Sequence, residues 1–172
     1  MAIDSIPGRL FKQGQSQGNS PAYYVRDGDS WASTSWSEYS SLTKQAAKAI
    51  IALGMKEGGT VSILGFNRPE WVIVDVACMA AGGAPAGIYT TCSPNEVQYI
   101  IDHAESSMVL LENEEQWAKV NAERANLPKL QYAVMMEGAP SIDDPMVLSW
   151  EEFLAKGDEV EDSVLDERMN NL

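Results

Sequence analysis

Between Thr60 and Glu112 short β-rich runs alternate with capped helices, and that alternation leaves few folds open. Thr60-Val61-Ser62-Ile63-Leu64 ends at Gly65, Ala84 to Tyr89 forms a second run, and Ser107-Met108-Val109-Leu110-Leu111 a third. Each gap opens with a helix-start signal. Asn67-Arg68-Pro69-Glu70 reads as an Asn cap, a proline suited to the first turn and a glutamate closing a capping box. Ser93-Pro94-Asn95-Glu96 repeats the device. Strands joined by helices of this length cannot form hairpins, so they lie parallel with right-handed crossovers. Parallel sheets carry ligands at the carboxyl ends of their strands. Gly65-Phe66-Asn67 and Tyr89-Thr90-Thr91-Cys92 therefore fall on the side where chemistry would happen.

The flanks extend the same plan. Residues 1–20 are rich in Gly, Gln and Ser and read as an extended lead-in with one short helix at most. Ala22 to Arg26 and Ser30 to Thr34, joined through Asp27-Gly28-Asp29, read as a hairpin ahead of the parallel unit. Ser35-Trp36-Ser37-Glu38 is a further capping box. Tyr39, Leu42, Ala46, Ala49, Ile50 and Leu53 then trace one buried helical face, Lys44 and Lys48 its wet side, and Gly54 the left-handed stop. Asn113 caps a helix through about Ala125, Gln131 to Met136 is a fourth strand, Met146 to Leu148 a short fifth, and Ser149 caps a last short helix. The expected fold class is α/β: a mostly parallel sheet with flanking helices and an N-terminal antiparallel hairpin. Its expected division is a lead-in over 1–20, an α/β lobe over 21–157 and an acidic tail or linker over 158–172.

Charge narrows the partners. The net charge is 12 − 25 = −13. Residues 137–172 hold eleven acidic and two basic residues, so they contribute −9 and the rest −4. No basic stripe is present for nucleic acid, and an acidic surface gives no help on anionic lipid. Cys78 and Cys92 have no metal or CxxC spacing and no signal peptide precedes them, which fits a reduced, cytoplasmic setting. The apolar run from Trp71 to Tyr89 contains Asp75, Gly82, Gly83 and Pro85. A membrane span needs ~20 uninterrupted residues, so this run reads as a buried helix and strand.

Catalytic constellations are absent from the residues themselves. His103, the single histidine, stands near a helix end, where its charge suits the dipole better than general-base work. One histidine and two scattered cysteines make no zinc site. Cys92 follows a strand at the ligand-facing edge but has no evident base to activate it. Neither G-x-x-x-x-G-K-[ST] nor G-x-G-x-x-G occurs. Ala81-Gly82-Gly83-Ala84 follows a helix and precedes a strand, the reverse of a phosphate-cradling loop, and reads as a helix stop with close packing. Met135-Met136 and the five tryptophans read as packing.

Several linked motifs add what periodicity does not. Thr34-Ser35-Trp36-Ser37-Glu38-Tyr39 resembles the first core motif of the AMP-forming adenylating enzymes, the acyl-CoA synthetase superfamily. Gly65-Phe66-Asn67-Arg68-Pro69-Glu70-Trp71 is similar to the N-R-x-E-W stretch of its fatty-acid members. Met79 to Tyr89 resembles the second core motif. Gly87-Ile88-Tyr89-Thr90-Thr91, followed by Ser93 to Ile100, looks like the bubblegum-type long-chain acyl-CoA synthetases. The resemblance covers about Pro21 to Ala155 and implies an incomplete N-terminal lobe of the acyl-CoA synthetase fold.

What the resemblance implies is a two-step ligase: fatty acid and MgATP give an acyl-adenylate and pyrophosphate, then CoA gives acyl-CoA and AMP. In the family the Ser/Thr/Gly-rich loop ending in Lys-Gly, the adenine site and the C-terminal catalytic lysine lie later. The chain alone is therefore expected to be inactive and to bind no cofactor, with ATP, Mg and CoA belonging to the full-length enzyme, itself allowing peripheral membrane association. The turn at Tyr89, Thr90 and Thr91 matches one near the approaching CoA in related enzymes and supplies the three candidate site residues. A lobe cut from a larger domain should expose apolar surface and self-associate. Two other readings stand beside the ligase: a non-catalytic acidic interaction or oligomerisation module, and a flavodoxin-like nucleotide binder resting on fold analogy alone.

Overall fold

Parallel pairing runs through the central sheet, as the alternation requires. In a computed structural model describing residues 4–172, β3 (Thr60–Leu64) pairs in parallel with both β4 (Ala84–Ile88) and β5 (Met108–Leu111). Beyond β5 lie β6 (Tyr132–Met135) and the two-residue β7 (Val147–Leu148), also parallel. The order β4-β3-β5-β6-β7 is 2-1-3-4-5 when the strands are counted within the sheet, the flavodoxin-like order. A separate antiparallel hairpin, β1 (Pro21–Asp27) and β2 (Ser30–Ser35), precedes it.

Strand alternation divides the core into two. Val61, Ile63, Met108, Leu110, Val134 and Met136 face α2 (Trp36–Ala52), α3 (Pro69–Ala80) and α6 (Trp150–Lys156). Leu64, Val109, Leu111, Ala133 and Met135 face α4 (Pro94–His103) and α5 (Glu114–Ala122). Both faces are covered, which is why these strands read as continuous apolar runs rather than as alternating ones.

The capping signals set the helix starts. Ser35, Ser93 and Ser149 each form complete capping boxes with Glu38, Glu96 and Glu152. The expected box at Asn67 does not form. Pro69 is the first helical residue, so the cap falls on Arg68, which makes no side-chain capping bond, and Glu70 stands one position too early to close a box. At the other end of α2, Gly54 has φ +91, Gly54 N–H donates to Ile51 O and Met55 N–H to Ile50 O. That is the Schellman pattern, with Met55 and Ile50 buried together. The buried face is wider than expected: Ser40, Thr43 and Ala47 are buried beside Ala46, Ala49 and Ile50, Tyr39 and Leu42 are half-buried, and Lys48 has a covered stem while its ammonium pairs with Asp162 at 2.8 Å.

Two terminal expectations need correction. The lead-in holds an eleven-residue helix, α1 (Ile6–Ser16), capped by Ser5 and burying Pro7 and Leu10. Gly14 serves packing there: a Cβ on it would stand 2.5 Å from Ser40 Cβ of α2. The acidic end is not a loose tail either. Residues Asp162–Asn170 form α7, which buries Leu165 in the core. Arg168 of α7 donates to Ala81 O at 2.9 Å and Met55 O at 3.3 Å. One buried leucine among charges is too little apolar periodicity to show in sequence. The Ala81–Ala84 turn is structural, as expected: a Cβ on Gly83 would lie 2.6 Å from Gly59 O.

Candidate functional site

The carboxyl ends of β3, β4, β5 and β6 line one edge of the sheet. In the 2-1-3-4-5 order the chain reverses direction between β3 and β5, where a crevice for ligand usually opens. Here Glu112 fills it. Its backbone N–H donates to Leu64 O at 3.1 Å, and its carboxylate accepts from Phe66 N–H at 3.0 Å.

Open space lies to either side. Between β3 and β4 a cleft of about 390 Å³ is lined by Gly65, Phe66, Asn67, Trp71, Gly87, Ile88, Tyr89 and Thr90. Phe66 is 67% and Tyr89 84% exposed, so two aromatic rings flank it in solvent. A second cleft of about 710 Å³ lies between the β1–β2 hairpin, the start of α3, Glu137 and Trp150. A third of about 220 Å³ follows the end of β6. Asn67 borders the first two, and Glu137 and Trp150 border the last two. The three form one ledge along the strand ends.

A polar clamp crosses the ledge. Arg68 Nη2 donates to Glu70 Oε1 at 2.7 Å and to Glu137 O at 2.8 Å, and Glu137 N–H donates to the same Glu70 oxygen at 3.0 Å. Nothing in the sequence showed this clamp; Arg68-Pro69-Glu70 reads there as a helix start. Its arginine is committed to structure. Glu112 points a carboxylate into the strand gap, and among the described residues no group of three or more His, Cys, Asp or Glu is placed to hold a metal ion.

Of the sequence candidates, Tyr89 and Thr90 line the 390 Å³ cleft, whereas Thr91 is exposed one residue beyond it. Phe66 and Trp71 join them from the β3–α3 side. Sequence reasoning placed Phe66 at the edge without singling it out; an aromatic directly after a strand-ending glycine was the available signal. Cys92 is partly buried against the α4–α5 core, while burial pushes the Cys78 thiol up to about 12. His103 ends α4 and stacks on Tyr99 at 5.5 Å, with no part in the clefts. Among the described residues no helix is long and apolar enough to cross a membrane.

Comparison with known proteins gives the site its context. The AMP-binding enzyme family profile matches residues 10–168. The long-chain-fatty-acid–CoA ligase ACSBG2 of Xenopus laevis is 34% identical over 150 residues, covering 87% of this chain and 20% of that protein. The human long-chain-fatty-acid–CoA ligase ACSBG1 is 37% identical over 138 residues, covering 80% of this chain and 19% of that protein. The chain thus spans about a fifth of the length of these relatives. Among solved structures, the anthranilate CoA ligase AuaEII in complex with anthranoyl-AMP superposes with TM-score 0.74 at 21% identity, over 87% of this chain and 27% of that one. The N-terminal domain of FACL13 from Mycobacterium tuberculosis superposes with TM-score 0.69 at 17% identity, over 92% of this chain and 36% of that one.

Proposed function

The chain belongs to the AMP-binding enzyme family, and on that premise we propose that it is the N-terminal part of a long-chain fatty acid CoA ligase. The observation that carries this is the match at 34% and 37% identity to two long-chain-fatty-acid–CoA ligases across most of this chain. In the proposed reaction the fatty acid carboxylate attacks the α-phosphate of ATP, pyrophosphate leaves, and the CoA thiol then displaces AMP from the acyl-adenylate. Offsetting the charge that develops at phosphate needs cations and amides aimed at it. The resemblance puts those groups later in the ligases than the part this chain matches, so we assign adenylation to residues outside the 172. Fatty acid, ATP, Mg and CoA are partners of the whole enzyme. A cytoplasmic setting and self-association of this chain through exposed apolar residues belong to the same proposal.

What this chain contributes, on this reading, is a shaped edge. Tyr89 and Thr90, with Phe66 opposite, flank the cleft through which the thiol partner would approach, and Thr91 continues the turn. The test is to assay the purified chain with palmitate, MgATP and CoA for pyrophosphate exchange and acyl-CoA formation, and to read the coding DNA downstream of the Leu172 codon. Expected are no turnover from the chain and a continuing frame that encodes a Ser/Thr/Gly-rich loop ending in Lys-Gly. Robust turnover by contaminant-free chain overturns the assignment of adenylation elsewhere. A stop codon at that point overturns the ligase reading in favour of the interaction module.

A further inference from the structure

The turn carrying Tyr89, Thr90 and Thr91 is built from residues that do not favour turns. Its closing bond runs from Cys92 N–H to Tyr89 C=O at 3.0 Å, so Thr90 and Thr91 are its two central residues. Tight turns draw on Gly, Pro, Asn, Asp and Ser, whereas both centres here are β-branched. Neither has a positive φ, which excludes the type II geometry. Types I and II differ mainly in the peptide plane between the central residues, that is, in where the Thr90 carbonyl points. That carbonyl is taken. Lys119 of α5 donates its ammonium to Thr90 O at 2.6 Å. The Lys119 side chain is only 15% exposed, and Glu115 Oε1 stands 3.9 Å from its nitrogen. A lysine so far withdrawn from water directs its charge at one backbone carbonyl.

We propose that Lys119 is a positioning residue, which fixes the 90–91 peptide plane and so presents the Thr91 N–H to a ligand oxygen at the open edge of the sheet. A trans peptide points N–H and C=O in opposite directions, and no peptide bond here is cis. With the Thr90 carbonyl turned to α5, the Thr91 N–H faces away from that helix. Among the described residues it donates to no backbone acceptor. A free, oriented amide suits a carbonyl or phosphate oxygen; on the ligase reading above, on which the identity of the ligand rests, that oxygen belongs to CoA.

The test uses Lys119→Met, Lys119→Gln and Lys119→Arg in the 172-residue chain, read by residue-resolved amide hydrogen exchange and by the Thr90 carbonyl carbon shift. Losing a charged donor to a backbone carbonyl should speed exchange of the closing Cys92 N–H by about tenfold relative to amides of β3 and β5. Met and Gln should both do this and move the Thr90 carbonyl shift, and Arg should restore both readings toward wild type. Unchanged exchange and shift in Met and Gln, or an Arg variant as loose as Met, overturns the proposal. In the unmodified chain, a scalar coupling between Lys119 Nζ and the Thr90 carbonyl carbon checks the bond without any substitution, and its absence overturns the proposal as well. None of these readouts needs turnover, so a failure of the ligase reading is seen in its own assay and not here.

Discussion

Glu70 and Glu137, 67 residues apart, meet in a single hydrogen bond at 3.0 Å that ties the start of α3 to the end of β6. The accepting oxygen also holds Arg68, while its twin, Glu70 Oε2, has no partner. The Glu70 side chain is 4% exposed, so this carboxylate is dehydrated on one oxygen and doubly satisfied on the other. Removing it strands the Glu137 N–H and frees Arg68. Glu70→Ala should lower folding stability by about 2–3 kcal/mol in chemical denaturation. Glu70→Gln keeps an acceptor for both donors and removes a buried charge, so it should lie within about 1 kcal/mol of wild type. An alanine variant as stable as the glutamine variant would show that the clamp contributes nothing.

Helix α7 hangs on Arg168. Its guanidinium satisfies the carbonyls of Ala81 and Met55 and lies 3.5 Å from Glu57 Oε1, bridging the α2–β3 and α3–β4 connections. Arg168→Ala should cost about 2 kcal/mol and raise amide exchange across α7 well before that of β3 or β5. Limited proteolysis should then cut near residues 160–170 first. Equal protection of α7 in variant and wild type would place its hold in Leu165 alone.

The two thiols should separate cleanly. Cys78 is fully buried and its thiol is pushed up to about 12, first by burial, so it stays protonated and inert in the native state. Cys92 is partly exposed. Iodoacetamide at pH 8 should alkylate Cys92 alone in native protein and both thiols in denaturant, as mass spectrometry would read. Native modification of Cys78 would mean that the α2–α3 side of the core opens readily.

The parallel unit was legible because its evidence is local. Prolines and Ser–Glu boxes mark the helix starts around β4 and β5, and strands buried on both faces are short apolar runs such as Met108–Leu111. Those signals also put Tyr89 and Thr90 at the right edge. What sequence did not show depends on contacts between distant segments. Helix α1 hid behind glycines, of which Gly14 makes sense only against Ser40, and α7 behind charges of which one, Arg168, bonds to backbone 87 residues away. The Arg68–Glu70–Glu137 clamp and the Lys119–Thr90 bond are of the same kind. Each joins segments far apart in sequence through polar side chains, and no periodicity records that.

Acid should weaken the fold through its helix caps. Glu38, Glu96 and Glu152 each accept from the N–H of the serine that caps their helix, at 2.8, 2.7 and 2.8 Å. These bonds hold all three carboxyls below the ordinary glutamate value of 4.5; the serine hydroxyl leads for Glu38 and the backbone N–H for Glu96 and Glu152. A folded value below the unfolded one means that the unfolded chain binds the proton more readily. Their contribution is therefore complete above about pH 4.5 and is lost as pH falls through the depressed folded values. Asp75 works in the opposite sense, since burial raises its carboxyl, and it gives some stability back at low pH. Asp4, Glu105, Asp144 and Asp162, each hydrogen-bonded to a basic side chain, are lowered as well, so the carboxyls held below their ordinary values set the direction of the acid response. The urea midpoint should stay flat from pH 7 to about pH 5 and then fall. In a Glu38→Gln, Glu96→Gln, Glu152→Gln variant the midpoint should be lower at pH 7 and fall less steeply on acidification, because neutral amides have no proton to gain. Parallel curves for variant and wild type would remove the caps from the acid response and leave the remaining carboxylates to explain it.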